Sequence, residues 1–173
     1  MRGLAFALLL LLGGNALAQP VTGLGPTSLT TAWVTSDQSY ISNITLADVP
    51  GLSINLQAGH TYSFRVELLY TDASAGNNGG IQVAMAGTVN PSNIIYSGWQ
   101  FENNSIEGQA QATALGGVVA SSAGPATIGH LQVIGSITVA TAGTLTVQAA
   151  QYSSNATPTV IKQGSFFVAT DMP

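Results

Sequence analysis

From Leu52 to the end of the chain, apolar and polar residues alternate with the period of two that a half-buried strand shows. Leu52, Ile54 and Leu56 share one face. A turn at Ala58-Gly59 follows, and Tyr62, Phe64, Val66, Leu68 and Tyr70 then line one face of a returning strand, with Ser63, Arg65 and Glu67 opposite. The same alternation recurs in GGIQVAMAG, IIYSGWQFE, HLQVIGSITVA and the closing AGTLTVQAAQYSSNATPTVIKQGSFFVATD, each run bounded by Gly, Pro or Asn clusters. The stretch EGQAQATALGGVVASSAGPA starts with helix-friendly Ala and Gln, but Gly116-Gly117 and Gly124-Pro125 interrupt it, so it reads as a strand with irregular flanks. About eight strands at short spacing predict an all-β chain, a jelly-roll-type two-sheet β-sandwich in preference to an immunoglobulin-like arrangement.

The closing hairpin adds a second expectation. Leu145, Val147 and Ala149 point one way and Thr146 and Gln148 the other, a normal half-buried strand. In SFFVAT both faces are apolar. Phe166 with Val168 is expected in the core, and Phe167 with Ala169 then either lies under a loop or meets a neighbouring subunit.

The first residues break the pattern. A basic Met1-Arg2 start, the apolar run Leu4 to Leu12 and small residues at Ala16 and Ala18 predict a signal peptide over 1–18. The apolar run is shorter than the roughly 20 residues of a spanning helix. Residues 19–29, with Gly23, Gly25 and Pro26, read as a linker, and 30–173 as a single β-sandwich domain. The expected destination is secreted, periplasmic or cell-surface, with no membrane span in the mature chain.

Composition sharpens this picture. Beyond the signal peptide only Arg65 and Lys162 are basic, against seven acidic residues, which excludes a phosphate-neutralising nucleic-acid surface. With no Cys there is no disulfide framework, and stability rests on packing. Charged residues are only 6% of the chain, so either much surface is buried between subunits or Thr, Ser, Asn and Gln keep it wet.

Candidate chemistry is sparse. His60 and His130 are too few for a zinc site without Cys, and read as surface or strand-edge residues. No G-x-S-x-G elbow occurs, and QGSFF lacks the second glycine of a nucleophile turn. Glu102 and Glu107 bracket NNSI, but nothing in the sequence places them across a sugar as glycoside hydrolysis requires. Asp72, Asn77 and Asn78 offer oxygen ligands without EF-hand spacing, so their segment reads as a surface loop. Asn43, Asn103 and Asn155 begin sequons. Tyr40, Tyr96, Trp99 and Phe101 could stack on a sugar, but Trp99 and Phe101 alternate as a core pair would. No catalytic, metal-binding or cofactor-binding residue is predicted, and no enzyme.

Ala58-Gly59 with Tyr62 and Phe64, Ala142-Gly143, Gln148, Gln151, Asn155 and Gly164-Ser165-Phe166 carry a resemblance. The stretch from about Thr30 to Asp171 resembles the jelly-roll domain of tailed-bacteriophage structural proteins, found in decoration, tail and fibre proteins. It is similar in architecture to the trimeric tumour-necrosis-factor and C1q modules. The resemblance implies a homo-oligomer, with a trimer favoured. The export signal departs from that family, whose members assemble in the cytoplasm, and favours an exported protein sharing the fold over a virion protein. Two functional readings result: a non-enzymatic structural or adhesive surface subunit that displays polar loops to a virion or cell-surface partner, and a secreted carbohydrate-binding module holding a surface glycan.

Overall fold

The computed structural model describes residues 28–72, 80–102, 105–122 and 128–172. The expected signal peptide 1–18 lies outside the described residues, as does the linker up to residue 27. Among the described residues twelve strands follow one another: β1 (Leu29–Trp33), β2 (Gln38–Tyr40), β3 (Ala47–Leu56), β4 (Thr61–Asp72), β5 (Ile81–Gly87), β6 (Asn90–Glu102), β7 (Ser105–Ala112), β8 (Val118–Ser122), β9 (Ile128–Thr141), β10 (Gly143–Gln151), β11 (Thr159–Ile161) and β12 (Phe166–Met172). The count exceeds the expected eight for two reasons. The stretch after Glu107 contributes to two strands, β7 and β8, around the Gly116-Gly117 break, and β1, β2 and β11 are too short to show a period in sequence.

The pairings nest. β1 pairs β12, β2 pairs β11, β3 pairs β10, β4 pairs β9, β5 pairs β8 and β6 pairs β7, all antiparallel. The chain is therefore one long ribbon, closed at the β6–β7 tip and wrapped into two sheets, which is the jelly-roll path. One sheet runs β1-β12-β4-β9-β6-β7 with β2 and β11 attached, and the other runs β3-β10-β5-β8.

One core fills the space between the sheets, as period two predicted. Leu52, Ile54, Leu56, Tyr62, Phe64, Val66, Leu68 and Tyr70 are all buried, as are Leu145, Val147 and Ala149. Gly135 lets β9 press against this core, since a Cβ there would lie 2.5 Å from Phe64 Cζ and 2.6 Å from Ile95 O.

The last strand reverses the expectation. Phe167 and Ala169 are the core residues, with 0% and 1% exposure, while Phe166 is 39% exposed. Register decides this: Phe167 stands opposite Val66 and Ala169 opposite Phe64, and directly opposed residues share a face. A strand apolar on both faces gives no sequence signal of which face turns inward.

Candidate functional site

Along the large sheet, the residues opposed to the core face form the outer surface. Among the described residues, nine of the thirteen exposed large apolar side chains lie there: Leu29, Trp33, Leu69, Ile95, Ile106, Ile128, Ile134, Phe166 and Met172. One row crosses six strands in register, with Trp33, Phe166, Glu67, Gln132, Trp99 and Gln109 side by side.

Trp99 and Phe101 stand on this outer face, half-buried, and not in the core as the alternation suggested. Their inward neighbours explain it. Gly98 occupies one core position because β8 passes so close that a Cβ would lie 2.6 Å from Val119 O. Gln100 occupies the next at 0% exposure, its Nε2 donating to Tyr70 Oη at 2.7 Å. A glycine and a hydrogen-bonded amide thus hold the inside, and the aromatic rings turn out. Tyr40 and Tyr96 are core residues as expected, and burial, followed by the charge of Asp48, pushes the Tyr40 hydroxyl up to about 12.

Glu67 sits at the centre of the outer face yet is only 6% exposed. Arg65 Nε and His130 Nε2 donate to its two oxygens, and Gln132 Nε2 adds a bond of 2.8 Å. Burial pushes the Glu67 carboxyl upward, but the three hydrogen bonds outweigh burial and hold it below its ordinary value. An ionised carboxylate only accepts, so the Nε2 of His130 carries a proton. The His130 ring stacks on Phe101 with centroids 5.7 Å apart and planes 20° apart. His130 is a surface residue on its strand as expected, and it also ties β9 to β4 through Glu67. Alternation placed Glu67 opposite the core but carried no signal that its neighbours would bury it.

Beside this cluster runs an open trough of 540 Å³. Ile95, Ile134 and Val168 line it with Ser63, Ser97, Ser136 and Gln111, and Arg65 stands at its side. The small sheet presents a different outer surface. There Ser53 bonds Thr146 at 2.8 Å, Thr88 bonds Thr144 at 3.0 Å and Gln148 Nε2 donates to Asp48 Oδ1 at 2.8 Å. One face is apolar around a neutralised charge pair, and the other is hydroxyl and amide.

The other candidate residues do not converge on a reactive centre. His60 Nδ1 lies 2.7 Å from Asp171 Oδ2, which fastens β12 beside the turn before β4. Asp72 is buried and accepts from Gly80 N, and Asn77 and Asn78 lie outside the described residues. Glu102 and Glu107 fall on β6 and β7, with side chains outside the described residues. Asn103 is likewise outside them. Ser165 donates to Lys162 O at 2.8 Å and accepts from Leu69 N at 3.0 Å, a linchpin of the β11–β12 turn. Asn43 and Asn155 belong to two adjoining loops. Both donate their backbone N–H to Gln151 Oε1 at 3.2 Å, and the buried Gln151 returns a bond to Thr157 O at 2.8 Å.

No known protein family matches this sequence, and neither does any curated protein. Among solved structures, the chain is similar to a structure of infectious bursal disease virus, strain Gt, with 15% identity, a TM-score of 0.25, and coverage of 88% of this chain and 42% of that one. It is also similar to the VP2 subviral particle of the same virus, with 10% identity, a TM-score of 0.26, and coverage of 88% and 45%. The chain thus spans less than half the length of the proteins it matches.

Proposed function

We propose that this protein is a non-enzymatic structural subunit, exported or virion-type, that self-associates through the outer face of the large sheet. A closed trimer is the favoured assembly. The subunit would display the hydroxyl-rich small sheet and the loops to a virion or cell-surface partner. The observation that carries the reading is the gathering, on one sheet face, of nine of the thirteen exposed large apolar side chains among the described residues. A gathering of exposed apolar side chains on one face marks an interaction site.

Two further features support it. Six strands about 4.8 Å apart and four rows about 6.7 Å apart give roughly 770 Å² per copy, against the about 800 Å² that each partner contributes to a stable interface. Arg65 and Glu67 neutralise one another within that area, so copies meet without net repulsion from this pair.

A second reading, a secreted carbohydrate-binding module, is favoured by one observation. The row Trp33, Phe166, Glu67, Gln132, Trp99 sets aromatic rings beside hydrogen-bonding groups, the pairing a sugar ring needs.

Substituting Phe166→Glu separates the readings. Self-association requires a folded monomer, because a carboxylate buried at the contact without a partner is costly. Light scattering and far-ultraviolet circular dichroism report both properties. A folded Phe166→Glu protein that keeps the wild-type mass would overturn the proposal. Retention of the wild type on a polysaccharide column, lost in Phe166→Glu without any change of mass, would establish the glycan reading in its place.

A further inference from the structure

Resting on the self-association reading, we infer how one copy grips the next: the outward ridge of β1, Leu29 and Trp33, packs into the trough of a second copy. Leu29 is 63% exposed and Trp33 56%, at one edge of the large sheet. Both point outward, since Leu29 stands opposite Thr170 and Trp33 opposite Phe166. The trough lies on the same face, with Ile134 on β9 near its middle. From β1 to β9 is three strands, about 14 Å at normal strand spacing. The trough's near rim, Val168 and Thr170, lies on β12 beside β1, yet Leu29 and Trp33 stay exposed instead of folding into it, so the ridge is free to fill the trough of another molecule.

Size and chemistry agree. A trough of 540 Å³ is of the volume that takes a compact organic group, and its floor of Ile95, Ile134 and Val168 suits an indole and an isobutyl group. The polar groups around it, Ser63, Ser97 and Gln111, offer acceptors for the indole N–H. Ridge and trough are different patches of one face, so two copies laid face to face can exchange them reciprocally, each ridge in the other's trough. Tryptophan at the centre of a contact is also the residue type that most often dominates its energy.

The test uses two exposed substitutions, Trp33→Glu and Ile134→Glu. Each should leave the circular dichroism spectrum and thermal midpoint of the monomer unchanged. Each should also weaken self-association about 30-fold or more, the loss expected for a dominant contact residue. The two variants mixed should associate with one another, because the first keeps an intact trough and the second an intact ridge. In a Trp99→Phe background, the emission of Trp33 should shift to the blue as the concentration of that variant rises through the association range. An oligomeric wild type whose mass neither substitution lowers would overturn the ridge-in-trough contact while leaving self-association standing. A mixture that stays monomeric would overturn it as well. A monomeric wild type would instead remove the reading beneath it.

Discussion

Replacing Phe167 by alanine removes a ring with no exposed surface, packed edge-on to Phe64 with centroids 6.1 Å apart and planes at 75°. Truncating a buried Phe costs about 3 to 5 kcal/mol through lost transfer energy and the cavity left behind. Of this, about 0.5 to 1.5 kcal/mol belongs to the aromatic pair and would appear as coupling in a double-mutant cycle with Phe64→Leu. The adjacent ring, Phe166, is 39% exposed and its removal opens no internal cavity, so Phe166→Ala should cost about 1 kcal/mol in the monomer. Urea denaturation separates the two. With a slope of about 2 kcal/mol/M, Phe167→Ala should lower the midpoint by about 2 M and Phe166→Ala by about 0.5 M. Assembly contributes stability by mass action, so the measurement is made at submicromolar protein and again at tens of micromolar. The Phe166→Ala deficit should grow with concentration, and the Phe167→Ala deficit should not. Equal costs at the lowest concentration would refute the assignment of the two faces.

Three other outcomes follow from particular contacts. Glu67 has a folded-state pKa below its unfolded value, so its contribution is complete above the ordinary value of 4.5 and is lost as pH falls through the folded value. Thermal midpoints should therefore fall in acid more steeply for the wild type than for Glu67→Gln, and parallel profiles would contradict this. Gln151→Ala strips the shared acceptor from Asn43 and Asn155 and should cost about 1 to 3 kcal/mol, with faster hydrogen exchange at those two amides as the specific readout. For export, sequencing of the native protein should find Gln19 first, and Asp at positions 9 to 11 should retain the protein in the cytoplasm; a mature chain beginning at Met1 would count against it.

The alternation from Leu52 onward made the all-β class and most of the core legible, because a strand with one apolar face has only one sensible orientation. Tyr62 to Tyr70 and Leu145 to Ala149 are such strands, and their inner faces were read correctly. Two kinds of position were not legible. Strands apolar on both faces, such as the one carrying Phe166 and Phe167, take their orientation from cross-strand register, which is a property of the partner strand. Positions where a small or amide residue fills the core, Gly98 and Gln100, invert the pattern and sent Trp99 and Phe101 outward. The outer-face cluster was hidden for a related reason. Arg65 and Glu67 are neighbours in sequence, but His130 and Gln132 reach them only through the β4–β9 register. A second apolar face was foreseen at the last strand, on the wrong side of it.

The central claim is that the outer face of the large sheet is a contact between copies, and sedimentation equilibrium of the wild type tests it most directly. Across roughly 0.1 to 50 µM, a range chosen around ordinary micromolar affinities, the mass should rise from one chain to a closed oligomer, with three copies favoured. A mass that stays at one chain throughout that range would contradict the account.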